Sequence, residues 1–135
     1  VLPLDKENNT WLVGQFRFPL KKYSWEIPEG GCPEGESLVE GAARELEEET
    51  GLRAERYTPI VEMHLSNSVS DEYAVVYLAE GLSQHIATPE DTEQLAIKKL
   101  SFEEAYQMVE KGIITDSMSV AAILKVKLLM LENRV

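Results

Sequence analysis

Residues Gly30 to Leu52 read GGCPEGESLVEGAARELEEETGL, and their spacing predicts a loop followed by one capped helix. The Ser37 hydroxyl is placed to accept from a free backbone N–H in the first turn, while Glu40, three positions on, reaches back to the N–H of Ser37, the capping-box pattern. Leu38, Ala42 and Leu46 recur at helical spacing and predict a narrow buried stripe. Gly51 is placed to end the helix in the left-handed region. Glu45, Glu48 and Glu49 then stand at i, i+3 and i+4, about 5–6 Å apart at Cβ on one face. Carboxylates this close repel one another and destabilise a helix. A hard cation taking oxygen ligands makes the same spacing favourable. A run of glutamates alone is usually a solvated helix face, so the order of the surrounding residues has to carry the argument.

Gly30, Glu36, Arg44, Glu45, Leu46, Glu48, Glu49, Gly51 and Leu52 follow the order G-x5-E-x7-R-E-U-x-E-E-x-G-U, with U an aliphatic residue. This is the signature of the Nudix hydrolases, which the chain resembles at every motif position. The flanking segments Leu12 to Pro19 and Trp25 to Gly31 are similar to the branch that cleaves ADP-ribose and other nucleoside diphosphate sugars.

The resemblance implies an α/β fold, an α/β/α sandwich with a mixed β-sheet. It implies that Glu45, Glu48 and Glu49 bind Mg2+ or Mn2+ bridging a diphosphate, with Glu49 the strongest ligand and Glu93 a further one. Arg44 orients the metal glutamates and Glu36 pairs with Arg44. The backbone around Glu29 and Gly30 supplies a carbonyl ligand, a role that requires no particular side chain at Glu29. Gln15, Arg17, Gly30 and Gly31 are expected against the substrate. Mg2+ usually takes one or two carboxylates together with substrate phosphates and water, which agrees with this set.

A water attacking phosphorus needs a carboxylate within hydrogen-bond reach. In the resembled branch this base often comes from a loop well downstream of the metal helix. The acidic segment Ala87 to Glu93 offers Glu90 and Glu93, with Asp91 third, and Glu48 stays open because some relatives use a motif glutamate. An acidic stretch beside a proline is otherwise a solvated turn.

The resembled ADP-ribose enzymes carry a proline before an acidic pair in the loop past the motif. Here Ser66 to Glu72 reads SNSVSDE, with the pair but no proline. The expected substrate is therefore a nucleoside diphosphate sugar more broadly, cut between its phosphorus atoms to a nucleoside monophosphate and a sugar phosphate. Hydrolysis of nucleoside triphosphates or oxidised nucleotides is the alternative, and a non-catalytic nucleotide-sensing module is another. Such modules typically lose motif glutamates, and this chain keeps them.

At 135 residues and net charge −11, the chain fits a single domain over 1–135 able to bury a core. The acidic balance argues against nucleic acid and anionic membranes as partners and leaves a small-molecule substrate. The single cysteine, Cys32, excludes an internal disulfide and fits a reducing, cytoplasmic setting. A catalytic thiol is disfavoured because no basic neighbour is apparent. The chain begins at Val1 in a strand-like segment. The resembled enzymes carry earlier strands that help form a homodimer, so N-terminal strands are expected to precede Val1.

Strands are expected at Val1 to Leu4, Thr10 to Phe16, Ser24 to Pro28, within Arg53 to Leu65, at Glu72 to Ala79 and at Gln94 to Leu100. A second capping box at Ser101 to Glu104 predicts a helix to about Lys111, and Asp116 or Ser117 begins a last helix through Glu132. In that helix Val120, Ile123, Leu124, Lys127, Leu128 and Leu129 largely follow the helical period. Tyr23 and Trp25 read as core aromatics before base-stacking ones. Met118 and Met130 read as packing, and His64 and His85 as structural or surface residues.

Overall fold

The computed structural model describes residues 1–89 and 95–135. The chain runs β1 (Leu2–Pro3), β2 (Asn9–Arg17), β3 (Lys22–Glu26), α1 (Leu38–Thr50), β4 (Leu52–Arg53), β5 (Arg56–His64), β6 (Tyr73–Glu80), β7 (Ser83–Gln84), β8 (Ala96–Ser101), α2 (Phe102–Glu110) and α3 (Ser117–Leu131). One sheet has the order β1-β6-β5 and is mixed, because β1 runs parallel to β6 while β5 is antiparallel to it. A second, antiparallel sheet has the order β3-β2-β8, and β4 pairs with β7.

Successive side chains on a strand point to opposite faces, and this alternation divides the core in two. Leu12 and Leu78 pack with Phe102, Ala105, Ile123 and Val126 beneath α2 and α3. Their neighbours Trp11 and Ala79 pack with Leu46 and Leu52 beneath α1. Helices thus cover both faces of the strands, giving the α/β/α sandwich with a mixed sheet that the motif implied.

The helix α1 has the expected bounds. Ser37 Oγ accepts from Glu40 N at 3.2 Å, and Ser37 N donates to Glu40 Oε2 at 3.4 Å. Gly51 adopts φ +77° and its N–H donates to the Glu47 carbonyl at 2.8 Å, a left-handed cap that a side chain would strain. The expected stripe is shorter than its spacing suggested: Leu46 is fully buried and Ala42 half-buried, but Leu38 is 45% exposed and borders a cavity.

In α2, Ser101 Oγ accepts from Glu104 N at 3.1 Å, the forward half of the expected box. In α3, where Asp116 caps the first turn, the buried face is Ser119, Ala122, Ile123, Val126 and Leu129. Leu124 and Leu128, expected on that face, are exposed. The helix is apolar nearly all round, so its period did not single out the buried side. The strand β7 was not anticipated, because two residues carry no alternation to read. Among the described residues, no helix is long and apolar enough to cross a membrane.

Candidate active site

Arg44, in the middle of α1, gathers the motif around its guanidinium. Nε donates to Glu36 Oε2 at 2.9 Å and Nη2 to Glu36 Oε1 at 3.0 Å, a two-pronged pair with the loop glutamate. Nη1 donates to Glu45 Oε1 at 2.9 Å and to Glu48 Oε2 at 3.2 Å, while Nη2 also reaches the Gly31 carbonyl at 2.9 Å. The planar fork suits such divided contacts in a way a lysine ammonium would not. Arg44 holds the Glu36 carboxyl below the usual carboxylate range, and the glutamates raise the guanidinium pKa in turn.

Gly30 lets the loop approach the helix. A Cβ built there would overlap the Glu45 carboxyl group, lying 2.7 Å from Oε2 and closer still to its other atoms. The need for glycine at this position is therefore spatial. Glu49, on the same helix face, is only 5% exposed. An anionic, all-oxygen donor set with one buried carboxylate suits a hard divalent cation.

A cavity of about 590 Å³ opens beside this loop. Arg17, Glu29, Gly30, Gly31 and Glu45 contribute polar surface to its wall. Gln15, Arg44, Glu48 and Glu49 lie off that wall, so Glu45 joins the cavity to the Arg44 cluster. Arg17 is already engaged: Nε and Nη2 donate to the buried Glu26 carboxylate at 2.9 and 2.6 Å. Nη1 is the remaining donor nitrogen of that guanidinium.

Behind the loop, Glu26, Glu29 and Asp116 bring ligand oxygens within 4.8 Å of one another, the one such carboxylate trio among the described residues. Asp116 Oδ2 also accepts from Ser119 N and Oγ, at 3.1 and 2.6 Å. Glu29 Oε2 is buried without a hydrogen bond among the described residues. Burial first, then the Asp116 and Glu26 carboxylates, push the Glu29 carboxyl up to about 9. The group is therefore protonated at neutral pH. Cys32 lies on the cavity wall with Sγ 3.2 Å from the Glu36 carbonyl, and its thiol pKa is raised by desolvation and the Glu36 carboxylate.

Glu90, Glu93 and Asp91 fall outside the described residues. The chain leading to them is tied to the end of α1: Gln84 Nε2 donates to the Thr50 carbonyl at 3.0 Å, and Thr88 N to the Glu48 carbonyl at 2.9 Å.

The sequence reading missed part of the apolar wall, which includes Leu65, Tyr73 and Met118. These residues come from the position just past β5, the start of β6 and the first turn of α3, and no sequence spacing links them. Met118, expected as packing, is thus a cavity residue. Tyr23 and Trp25 lie off the wall, edge to face at 5.4 Å, with Trp25 packed against the larger core.

The NUDIX domain family matches residues 1–117. The chain is 35% identical over 125 residues to the methanol dehydrogenase activator of Bacillus methanolicus, covering 91% of this chain and 68% of that protein. It shows the same identity and coverage with the ADP-ribose pyrophosphatase of Bacillus subtilis (strain 168). It is 33% identical over 130 residues to the ADP-ribose pyrophosphatase of Mycobacterium tuberculosis, covering 93% of this chain and 62% of that one. A crystal structure of an ADP compounds hydrolase superimposes with a TM-score of 0.85 at 20% identity, covering 99% of this chain and 74% of that one. This last likeness is one of fold.

Proposed function

The chain belongs to the NUDIX domain family, and on that premise we propose that it hydrolyses the diphosphate bond of nucleoside diphosphate sugars such as ADP-ribose, releasing a nucleoside monophosphate and a sugar phosphate. The observation that carries this reading is the Arg44 cluster, which fixes Glu45 and Glu48 to the Gly31 loop at the edge of a cavity with room for a small molecule. The moderate identity to two ADP-ribose pyrophosphatases supports the choice of substrate.

Glu45, Glu48, Glu49 and the main-chain carbonyls around Glu29 and Gly30, with Glu93, are the proposed holders of Mg2+ or Mn2+. When bound, such an ion neutralises phosphate oxygens and lowers the pKa of an attacking water. Arg44 keeps the carboxylates in place before substrate arrives, which is preorganisation rather than direct catalysis. Glu90 or Glu93, with Glu48 as the alternative, takes a proton from water as its oxygen bonds to phosphorus and the bridging P–O bond breaks. Arg17, on the cavity wall, is placed to meet phosphate through Nη1. Action as a homodimer in the cytoplasm completes the reading.

The test is a panel of ADP-ribose, other nucleotide sugars, dinucleoside polyphosphates and nucleoside triphosphates with Mg2+ or Mn2+, scored by the released products. Nucleotide sugars should be cleaved to monophosphate products. Failure of every compound with both metals removes the enzyme reading, and preferential cleavage of triphosphates replaces the substrate class. Glu49→Gln should abolish turnover with unchanged circular dichroism.

A further inference from the structure

The wall of the cavity combines two kinds of surface. The glycine loop, Arg17 and Glu45 supply charge and backbone polarity, Leu65, Tyr73 and Met118 are among its apolar members, and Glu72 adds a carboxylate beside Tyr73. A nucleotide combines the same two kinds, with anionic phosphates at one end and a flat, weakly solvated ring at the other. Tyr73 is the aromatic side chain among the described wall residues, and 47% of its surface is exposed.

One ring contact flanks it. Tyr73 pairs across the strands with His64, and their ring centroids lie 5.5 Å apart at an interplanar angle of 54°. The Glu62 carboxylate, two residues further back along β5, raises the pKa of the phenol. The ring is thus flanked by His64 while the residue borders the cavity. An aromatic whose rotamer is already fixed loses little entropy when a ligand stacks on it.

We propose that Tyr73, flanked by His64, is the stacking platform for the nucleobase of the substrate, and so the residue that makes this diphosphate site select nucleotides over base-free diphosphates. This rests on the nucleotide-sugar reading for the identity of the phosphate end, but the base contact has a readout of its own. Met118 and Leu65 contribute apolar surface to the same wall. His64 acts through Tyr73 as a positioning residue.

The experiment compares wild type, Tyr73→Ala, Tyr73→Leu and Tyr73→Trp. Each is assayed for ADP-ribose hydrolysis, for inhibition by 5-phosphoribosyl 1-diphosphate, which lacks a base, and for AMP binding by calorimetry. Removing one stacking aromatic typically weakens binding about tenfold or more. Tyr73→Ala and Tyr73→Leu should therefore raise the KM for ADP-ribose and the Kd for AMP about tenfold, with the loss on KM rather than kcat. Tyr73→Trp should keep both, and the base-free inhibitor should bind all four proteins equally. Unchanged AMP affinity in Tyr73→Leu overturns the proposal, as does an equal loss toward the base-free diphosphate. If the wild type cleaves no nucleotide sugar, the function proposed above fails, and AMP titration still decides the stacking role.

Discussion

The main-chain N–H of Thr88 donates to the carbonyl of Glu48 at 2.9 Å. A carbonyl in the last turn of a helix has no partner within the helix, and here the returning chain satisfies it. The bond fastens Thr88, two residues before Glu90, to the helix carrying Glu45, Glu48 and Glu49.

Glu90→Gln and Glu93→Gln should separate in their effects. The residue acting as base should lose about 10²- to 10⁴-fold in kcat while its Mn2+ affinity, read by calorimetry, stays unchanged. Equal, small effects at both positions would move the role to Glu48.

Arg44→Lys should lower kcat/KM by about 10- to 100-fold, the usual range when a residue supporting metal ligands is changed. A lysine keeps the charge but cannot hold Glu36, Glu45, Glu48 and the Gly31 carbonyl together. Metal affinity should weaken in parallel. Wild-type kinetics in this variant would show that the cluster is not needed for positioning.

Gly30→Ala places a methyl group on the Glu45 carboxyl. Glu45 or the loop must shift, so activity should fall roughly tenfold or more, given the sensitivity of catalytic groups to displacements of about 1 Å. The melting temperature should change little, since Gly30 is exposed and outside the core. Gly31→Ala is the control, because a Cβ there meets nothing within 4 Å.

Glu29 predicts a pH dependence of stability. Its carboxyl holds its proton up to about 9 in the folded protein, against an ordinary value of 4.5. Between these two values the unfolded chain has released a proton that the native state keeps, so stability falls as pH rises through that window. Urea unfolding of metal-free protein should show this slope between pH 5 and 8.5. Glu29→Gln should flatten it and be more stable at pH 8 by up to roughly 5 kcal/mol, the upper figure that the linkage of pKa to folding allows. Identical slopes in the two proteins would mean that Glu29 ionises normally in the fold.

The boundaries of α1 were legible residue by residue, because the interactions that set them are local. Ser37 and Glu40 are three apart, Gly51 closes on Glu47, and Glu45, Glu48 and Glu49 share a face through the helical repeat alone. The strands were legible in kind, but their edges shifted: β8 starts at Ala96, and the short β4 at Leu52–Arg53 precedes the β5 that the stretch from Arg53 to Leu65 predicted. Burial was less legible, since Leu38 and Leu128 have the periodicity of core residues and the exposure of surface ones.

Within α1 the sequence by itself determined the caps, the shared carboxylate face and, through the motif, the family to which the chain belongs. Contacts over three or four residues need no knowledge of the rest of the chain. Only the tertiary structure decided that Glu29 faces Asp116, that Arg17 is held by Glu26, and that Tyr73 and Met118 border the same cavity as Glu45. Those pairings join distant segments, and they exist because alternating strand residues send two sets of side chains into two cores. That packing brings the ends of β3, β6 and α3 to one loop.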